Sequence, residues 1–221
     1  RFNQLWGPID CQLAYSFDGT HWQRGMREPF IKLNEPGQPG SGVIYPVSVV
    51  DTGDELRIYS SSTPDLHHQY ARTQYLPKGT VPASAILMHR LRRDGFMHLE
   101  STGNVGRFIT KPMVLLEGGL TMNVLAPHGC VKVRATDLAS RPIDGFGFDE
   151  FEPLQEVDDL AAPLRWKERR LDELAGQVIR LEVTLRHARL HALRGSFHFA
   201  DALDVSLIDD GRGCGPLLFD F

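Results

Sequence analysis

Cysteine is scarce here: Cys11, Cys130 and Cys214 are the three in 221 residues, far apart and odd in number. Such spacing gives neither a disulfide framework nor a zinc-ligand set, so free or buried thiols are expected. No apolar run approaches the roughly 20 residues of a membrane-spanning helix. Charge of one sign is also missing, because 24 Lys and Arg stand against 28 Asp and Glu for a net charge of −4. A chain so balanced carries no global field to attract nucleic acid or an anionic membrane, and neither is expected as a partner. Its basic cluster, Lys167 to Arg170, is followed at once by Asp172 and Glu173 and reads as a solvated turn. Helical periodicity is nearly absent, and the one convincing helical turn is Leu171 to Ala175, closed by Gly176.

Several catalytic signatures are missing too. There is no Gly-x-Ser-x-Gly elbow to present a serine nucleophile. Gly145-Phe146-Gly147 and Gly213-Cys214-Gly215 have no helix after them, so they cannot cradle a phosphate. Asp209-Asp210-Gly211 lacks the alternating ligands of a calcium loop. No cofactor is expected. The chain opens Arg1-Phe2-Asn3 without an initiating Met, so its natural beginning is expected to lie upstream.

What is present is strand signal. Val43 to Val50 is a β-branched run that passes through Asp51-Thr52-Gly53-Asp54 into Leu56 to Tyr59, a hairpin pattern. Ile9 to Ser16 passes through Asp18-Gly19 into His21-Trp22, and Ala85 to Leu91 through Asp94-Gly95 into Phe96 to Leu99, giving two further hairpins of one plan. Two long loops interrupt them, Glu28 to Ser41 and Ser61 to Pro82, and loops of that length are often functional. From about Gly103 the pattern becomes a clean period of two. Val131, Val133 and Ala135 alternate with Lys132, Arg134 and Thr136, and Ile179, Leu181, Val183 and Leu185 with Arg180, Glu182, Thr184 and Arg186. Each such strand is expected to have one buried and one wet face, as in an antiparallel sandwich. Leu120, Met122, Val124, Phe197 and Phe199 are further expected inward positions, and Trp22 and Trp166 are expected in the core or over a sheet edge.

Together the segments Ile9 to Trp22, Gly42 to Tyr45, Gly53 to Tyr59 and Leu91 to Phe96 resemble the closing blades of bacterial proteins related to glycoside hydrolase family 32. Thr110-Lys111-Pro112 through Asn123, Pro142 to Phe146 and Arg165-Trp166-Lys167 through Gly176 are similar to the sandwich that follows the five-bladed propeller there. The resemblance runs from about Ile9 to Phe199. It implies an all-β fold: residues 1–102 as about one and a half blades of a five-bladed β-propeller, residues 103–200 as an antiparallel β-sandwich, and residues 201–221 as a tail. Such proteins place a nucleophile, a stabilising Asp in an Arg-Asp-Pro motif and an acid/base Glu around one sugar ring, with carboxyls about 5–5.5 Å apart for retention. This sequence contains neither Arg-Asp-Pro nor Asn-Asp-Pro, so no catalytic residue carries over.

What the resemblance leaves is the substrate-facing rim, with a carbohydrate as the implied partner through the complete propeller. Sugar sites join an aromatic platform to fixed hydrogen-bonding groups, so Tyr45, His67, His68 and Tyr70 are the candidates, with Asp10 behind them. Plainer readings stand beside them: Asp10 as a structural cap, and Tyr45 as packing between blades. His67 and His68 are poor metal ligands, since neighbours in a strand point to opposite sides and only Asp65 is near. Asp149, Glu150, Glu152, Asp158 and Asp159 read as solvated loop charge. The isolated chain is expected to be scaffold and rim without hydrolytic activity. The alternative from another class is a non-catalytic carbohydrate-binding or protein-interaction module whose working part is the sandwich.

Overall fold

The computed structural model describes residues 7–67, 84–201 and 206. It is all-β, with antiparallel sheets and one nearly closed, barrel-like sheet. The chain separates into two compact units, Arg1–Phe96 and Met97–Phe221. The tail expected from residue 201 lies outside the described residues apart from Asp201 and Ser206.

The first unit opens with an antiparallel hairpin of β1 (Ala14–Ser16) and β2 (Trp22–Arg24), paired from Ala14–Arg24 to Ser16–Trp22. Its turn is built by Asp18, whose carboxylate accepts the backbone N–H groups of Thr20 at 2.8 Å and His21 at 2.7 Å. These bonds, together with the His21 ring, hold the Asp18 carboxyl well below the usual carboxylate range. Gly19 completes the turn at φ +73°, a left-handed conformation that favours glycine. Trp22 is not the core or edge-covering residue expected, being 65% exposed with its indole N–H donated to the Gly19 carbonyl.

A three-stranded antiparallel meander follows, with β3 (Val43–Asp51), β4 (Glu55–Thr63) and β5 (Ala85–Arg92) side by side in that order. The three-residue connection between β3 and β4 is set by Asp51, which accepts the Gly53 N–H at 2.8 Å. Strand alternation splits the sheet into two unlike faces. Ile44 and Ile58 are buried on one face against Ile31, with Cys11, Phe30, Leu33 and Leu91 around them. The opposite face carries Tyr45, Val50, Ile86 and Met88, all exposed. The third expected hairpin does not form. The chain does turn after β5, where Gly95 donates to the Arg92 carbonyl, but Phe96 stacks on Phe30 at 5.8 Å instead of extending a partner strand. Leu99 pairs in the second unit instead.

That unit is organised by one strand of exceptional length, β8 (Met113–Thr136, 24 residues). Drawn straight it would run about 80 Å, far beyond a domain of this size, so it must bend. It does so at Gly118, which has φ +74°, and at register shifts between Met122 and Val124 and between Ala126 and Cys130. Its first half pairs with β11 (Ala188–Phe199), and its middle pairs with β9 (Leu154–Pro163). β10 (Val178–Arg186) meets both of its ends: Val178 and Ile179 lie opposite Val114 and Met113, and Arg180 to Arg186 lie opposite Thr136 to Cys130. One strand therefore curls round until β10 joins its two ends, which is what nearly closes the sheet. The short strands β6 (Leu99–Ser101), on β11, and β7 (Gly106–Ile109), on β10, are the outer members.

The inward positions read from the period of two are buried: Leu120, Met122, Val124, Val131, Val133, Ala135, Ile179, Leu181, Val183 and Leu185 are each at most 4% exposed. Trp166 joins this core, with Phe146 and Phe151 edge-on to its ring at 5.5 and 5.1 Å. The expected helical turn is a 3-10 helix, Leu171–Leu174, that inserts Leu171 and Leu174 into the core. Glu173 accepts the Arg170 N–H at 2.8 Å and fixes its start. Two expectations fail. Phe199, at the end of β11, is 57% exposed and only leans edge-on against Phe197. Glu182, expected on the wet face, is buried with 1% exposure.

Candidate functional site

The candidate rim residues of the first unit are brought together by backbone bonds. The segment Gly7 to Cys11 runs beside the start of β3, where Ile9 donates to the Gly42 carbonyl at 3.0 Å and Ile44 donates back to Ile9 at 2.9 Å. Asp10 therefore sits one residue past that bridge, half-buried, and Tyr45 follows Ile44 with 44% of its surface exposed. β3 begins opposite the end of β4, Val43 to Thr63. Just beyond β4, His67 donates its N–H to the Gly7 carbonyl at 3.1 Å and is half-buried. Asp10, Tyr45 and His67 thus gather at one end of the three-stranded sheet. His68 and Tyr70 lie outside the described residues.

Gly42 makes this convergence possible. A Cβ there would lie 2.2 Å from the Asp65 carbonyl oxygen and 2.6 Å from that of Pro64, so only glycine lets β3 approach the chain that leads to His67. Beside Asp10, the Cys11 thiol is pushed above its ordinary value by burial first and by the Asp10 carboxylate second, against a backbone N–H bond from Ile31. A thiol so placed is a weak nucleophile. Cys11 and Cys130 are both free, and Cys214 lies outside the described residues.

A second polar group sits on the buried face of the same sheet. Ser60 is fully buried, and its hydroxyl is 2.8 Å from His89 Nε2 and 3.1 Å from the Ser62 hydroxyl. Serine and histidine in hydrogen-bond contact have the geometry of an activated nucleophile. With Ser60 at 0% exposure no substrate reaches it, so the pair satisfies polar groups inside a sheet. Burial lowers the His89 pKa, so the ring is neutral at pH 7. Because the folded value lies below the ordinary one of about 6.5, this contribution to stability is complete above that pH and is lost as pH falls through the lowered value. Urea midpoints followed at the Ile58 amide should therefore drop as the pH is taken below about 6.5. The drop should vanish in His89→Gln; an unchanged slope there would assign it to other groups.

In the second unit the closest charge cluster surrounds Glu182. Its carboxylate meets Arg134 at 2.6 Å through Nη2 and 2.8 Å through Nε, and pairs with the Arg107 Nε on its other side. The Arg134 guanidinium lies 4.8 Å above the Phe148 ring. Glu182 is buried despite its outward position because arginines from β7 and β8 fold over it from both flanking strands. Nothing in a single strand's pattern signals this; the hint would have been the arginines at matching outward positions. Asp149, Glu150, Glu152, Asp158 and Asp159 are exposed, although Asp158 and Asp159 stand in β9 and not in a loop. Among the described residues no three His, Cys, Asp or Glu side chains are grouped to hold a metal ion.

No family model, curated protein or solved structure matches the chain. Fold and geometry define it as an all-β protein of two units, one a small meander and the other a nearly closed sheet.

Proposed function

We propose that this chain is the non-catalytic part of a glycoside hydrolase-like, carbohydrate-active protein. In this reading the first unit supplies blade strands of a β-propeller and a segment of its substrate rim. The second unit supplies the appended β-sandwich, its two sheets continuous through the bends of β8. The observation that carries the reading is the two-faced meander β3–β5. One face is closed by its own loops, and the other leaves Tyr45, Val50, Ile86 and Met88 exposed. A propeller blade packs between two neighbours and can use such a second face, part apolar and part the Glu55–Arg57–Arg90 ion pairs, whereas an isolated sheet would leave its apolar part in water. The gathering of Asp10, Tyr45 and His67 at one end of that sheet supports the rim assignment, with Tyr45 as platform and Asp10 as hydrogen-bond acceptor.

The chain alone should release no product from a panel of nitrophenyl glycosides and unmodified oligosaccharides. Turnover that disappears in Tyr45→Ala or Asp10→Asn would overturn the non-catalytic assignment.

A further inference from the structure

The second unit holds a cavity that is unrelated to the rim. It has a volume of about 490 Å³ and opens where the end of β9 meets the 3-10 helix, above residues 119–121 of β8. Its polar wall is made by Glu152, Arg165, Arg169, Arg170 and Asp172. Its apolar wall is made by Leu120, Leu164, Leu171 and Trp166, all buried in the core beneath.

The charges of this wall are arranged in a definite way. Arg170 is paired with Asp172 at 2.9 Å, and Arg169 is paired with Glu173 at 2.8 Å. Each pair leaves N–H groups and carboxylate lone pairs over, because a guanidinium has five N–H donors and a carboxylate about four acceptor sites. Arg165 and Glu152 form no ion pair among the described residues, yet their backbones are joined by the Glu152 N–H to Arg165 carbonyl bond at 2.9 Å. They thus place a free guanidinium and a free carboxylate at one edge of the cavity. The lining itself holds three arginines and two carboxylates, and Glu173, outside the lining, takes up Arg169.

We propose that this cavity is a saccharide-binding site for a neutral sugar of one or two rings. Donors and acceptors so nearly in balance do not suit a phosphate or a sulfate, which would meet the Glu152 and Asp172 carboxylates. It does suit vicinal hydroxyl groups, each of which donates and accepts at once. The leucines and the Trp166 edge supply the dry wall on which the C–H face of a pyranose or furanose ring rests. The volume is in the range of small-molecule sites. Sequence order hid the site, because Arg165, Arg169, Arg170 and Glu152 are solvent-exposed charges in connecting segments. Only the bridge between Phe151 and Trp166 brings those segments side by side. The site does not depend on the rim reading for the first unit, from which it is separate in sequence and residues.

The test is a titration of the full isotope-labelled chain, followed by amide and arginine side-chain NMR signals. The probes are glucose, galactose, mannose, fructose, sucrose, maltose, cellobiose and lactose, with glucuronate and inorganic phosphate as charged counterparts. Saturable shifts at Glu152, Arg165 and Leu171 with at least one neutral sugar are expected. Arg165→Ala should weaken that binding about tenfold, the loss of one charge-assisted hydrogen bond. Gly119→Phe is the second variant. A Cβ at Gly119 meets nothing within 4 Å and Gly119 lines the cavity, so the new side chain starts from open space at the mouth. It should abolish the shifts while the thermal midpoint stays at the wild-type value. Shifts only with glucuronate or phosphate, shifts confined to Asp10, Tyr45 and His67, or no shift with any neutral sugar would each overturn the proposal. The second of those outcomes would leave the rim reading standing.

Discussion

Replacing Gly129 by valine is expected to destabilise the second unit by about 3 kcal/mol, at the upper end of what overpacking usually costs. A Cβ at this position would lie 2.1 Å from the His187 carbonyl oxygen and 2.4 Å from that of Arg186. Both obstacles are backbone, so no side chain can turn aside to make room. They belong to the tight link between β10 and β11, where His187 alone separates the strands and takes φ 47°. Pushing that link outward would draw Leu185, Ala188 and Leu190 from the core, where each is at most 7% exposed. The measurement is urea unfolding followed at core amides such as Val183, and even Gly129→Ala should show most of the loss. An alanine variant that unfolds at the wild-type urea concentration would mean that β8 and this link are less closely apposed than described.

Removal of the buried carboxylate is the second large effect. Glu182→Ala should cost about 3 kcal/mol, because it leaves two guanidinium groups facing each other without their common partner. The value belongs at the low end for a broken buried pair, since the Arg107 side chain is 57% exposed and can swing into water, while Arg134 at 24% is held closer. Replacing all three residues by apolar ones of similar volume should restore most of the loss, because it removes the buried charges along with their attraction. A triple variant no more stable than Glu182→Ala would show that the cluster contributes by packing and not by charge pairing. Salt should matter little to Arg134–Glu182, which is largely shielded from solvent.

These two positions also separate what was legible in the sequence from what was not. The hairpin of β3 and β4 could be read because its instructions are local: β-branched runs on either side and an Asp51-Thr52-Gly53 turn whose bonds close within four residues. The inward rows of β8 and β10 could be read for the same reason, since side chains alternate with a fixed period whatever the strand packs on. Phe96 to Leu99 was misread as the return strand of β5. The Asp94-Gly95 turn is real, but Leu99 finds its partner in Leu190, some ninety positions further along, and no local pattern records that choice. The rim was legible as a list of residues but not as an arrangement. Asp10, Tyr45 and His67 lie at one end of the sheet because the segment beginning at Gly7 is bonded both to β3 and to the chain beyond β4.

By itself, then, the sequence determined an all-β chain, the faces of its main strands, the turn chemistry of its first two hairpins and the helical turn at Leu171. These follow from backbone preferences and the period of two, which act over a few residues. The tertiary structure alone decided that β8 curls until β10 joins its ends, that Glu182 is covered and that Arg165 and Glu152 share a cavity edge. Each of these depends on pairing between distant segments. A strand's alternation says which side chains share a face, but what lies over that face is set by whichever strand, loop or arginine the rest of the chain brings to it.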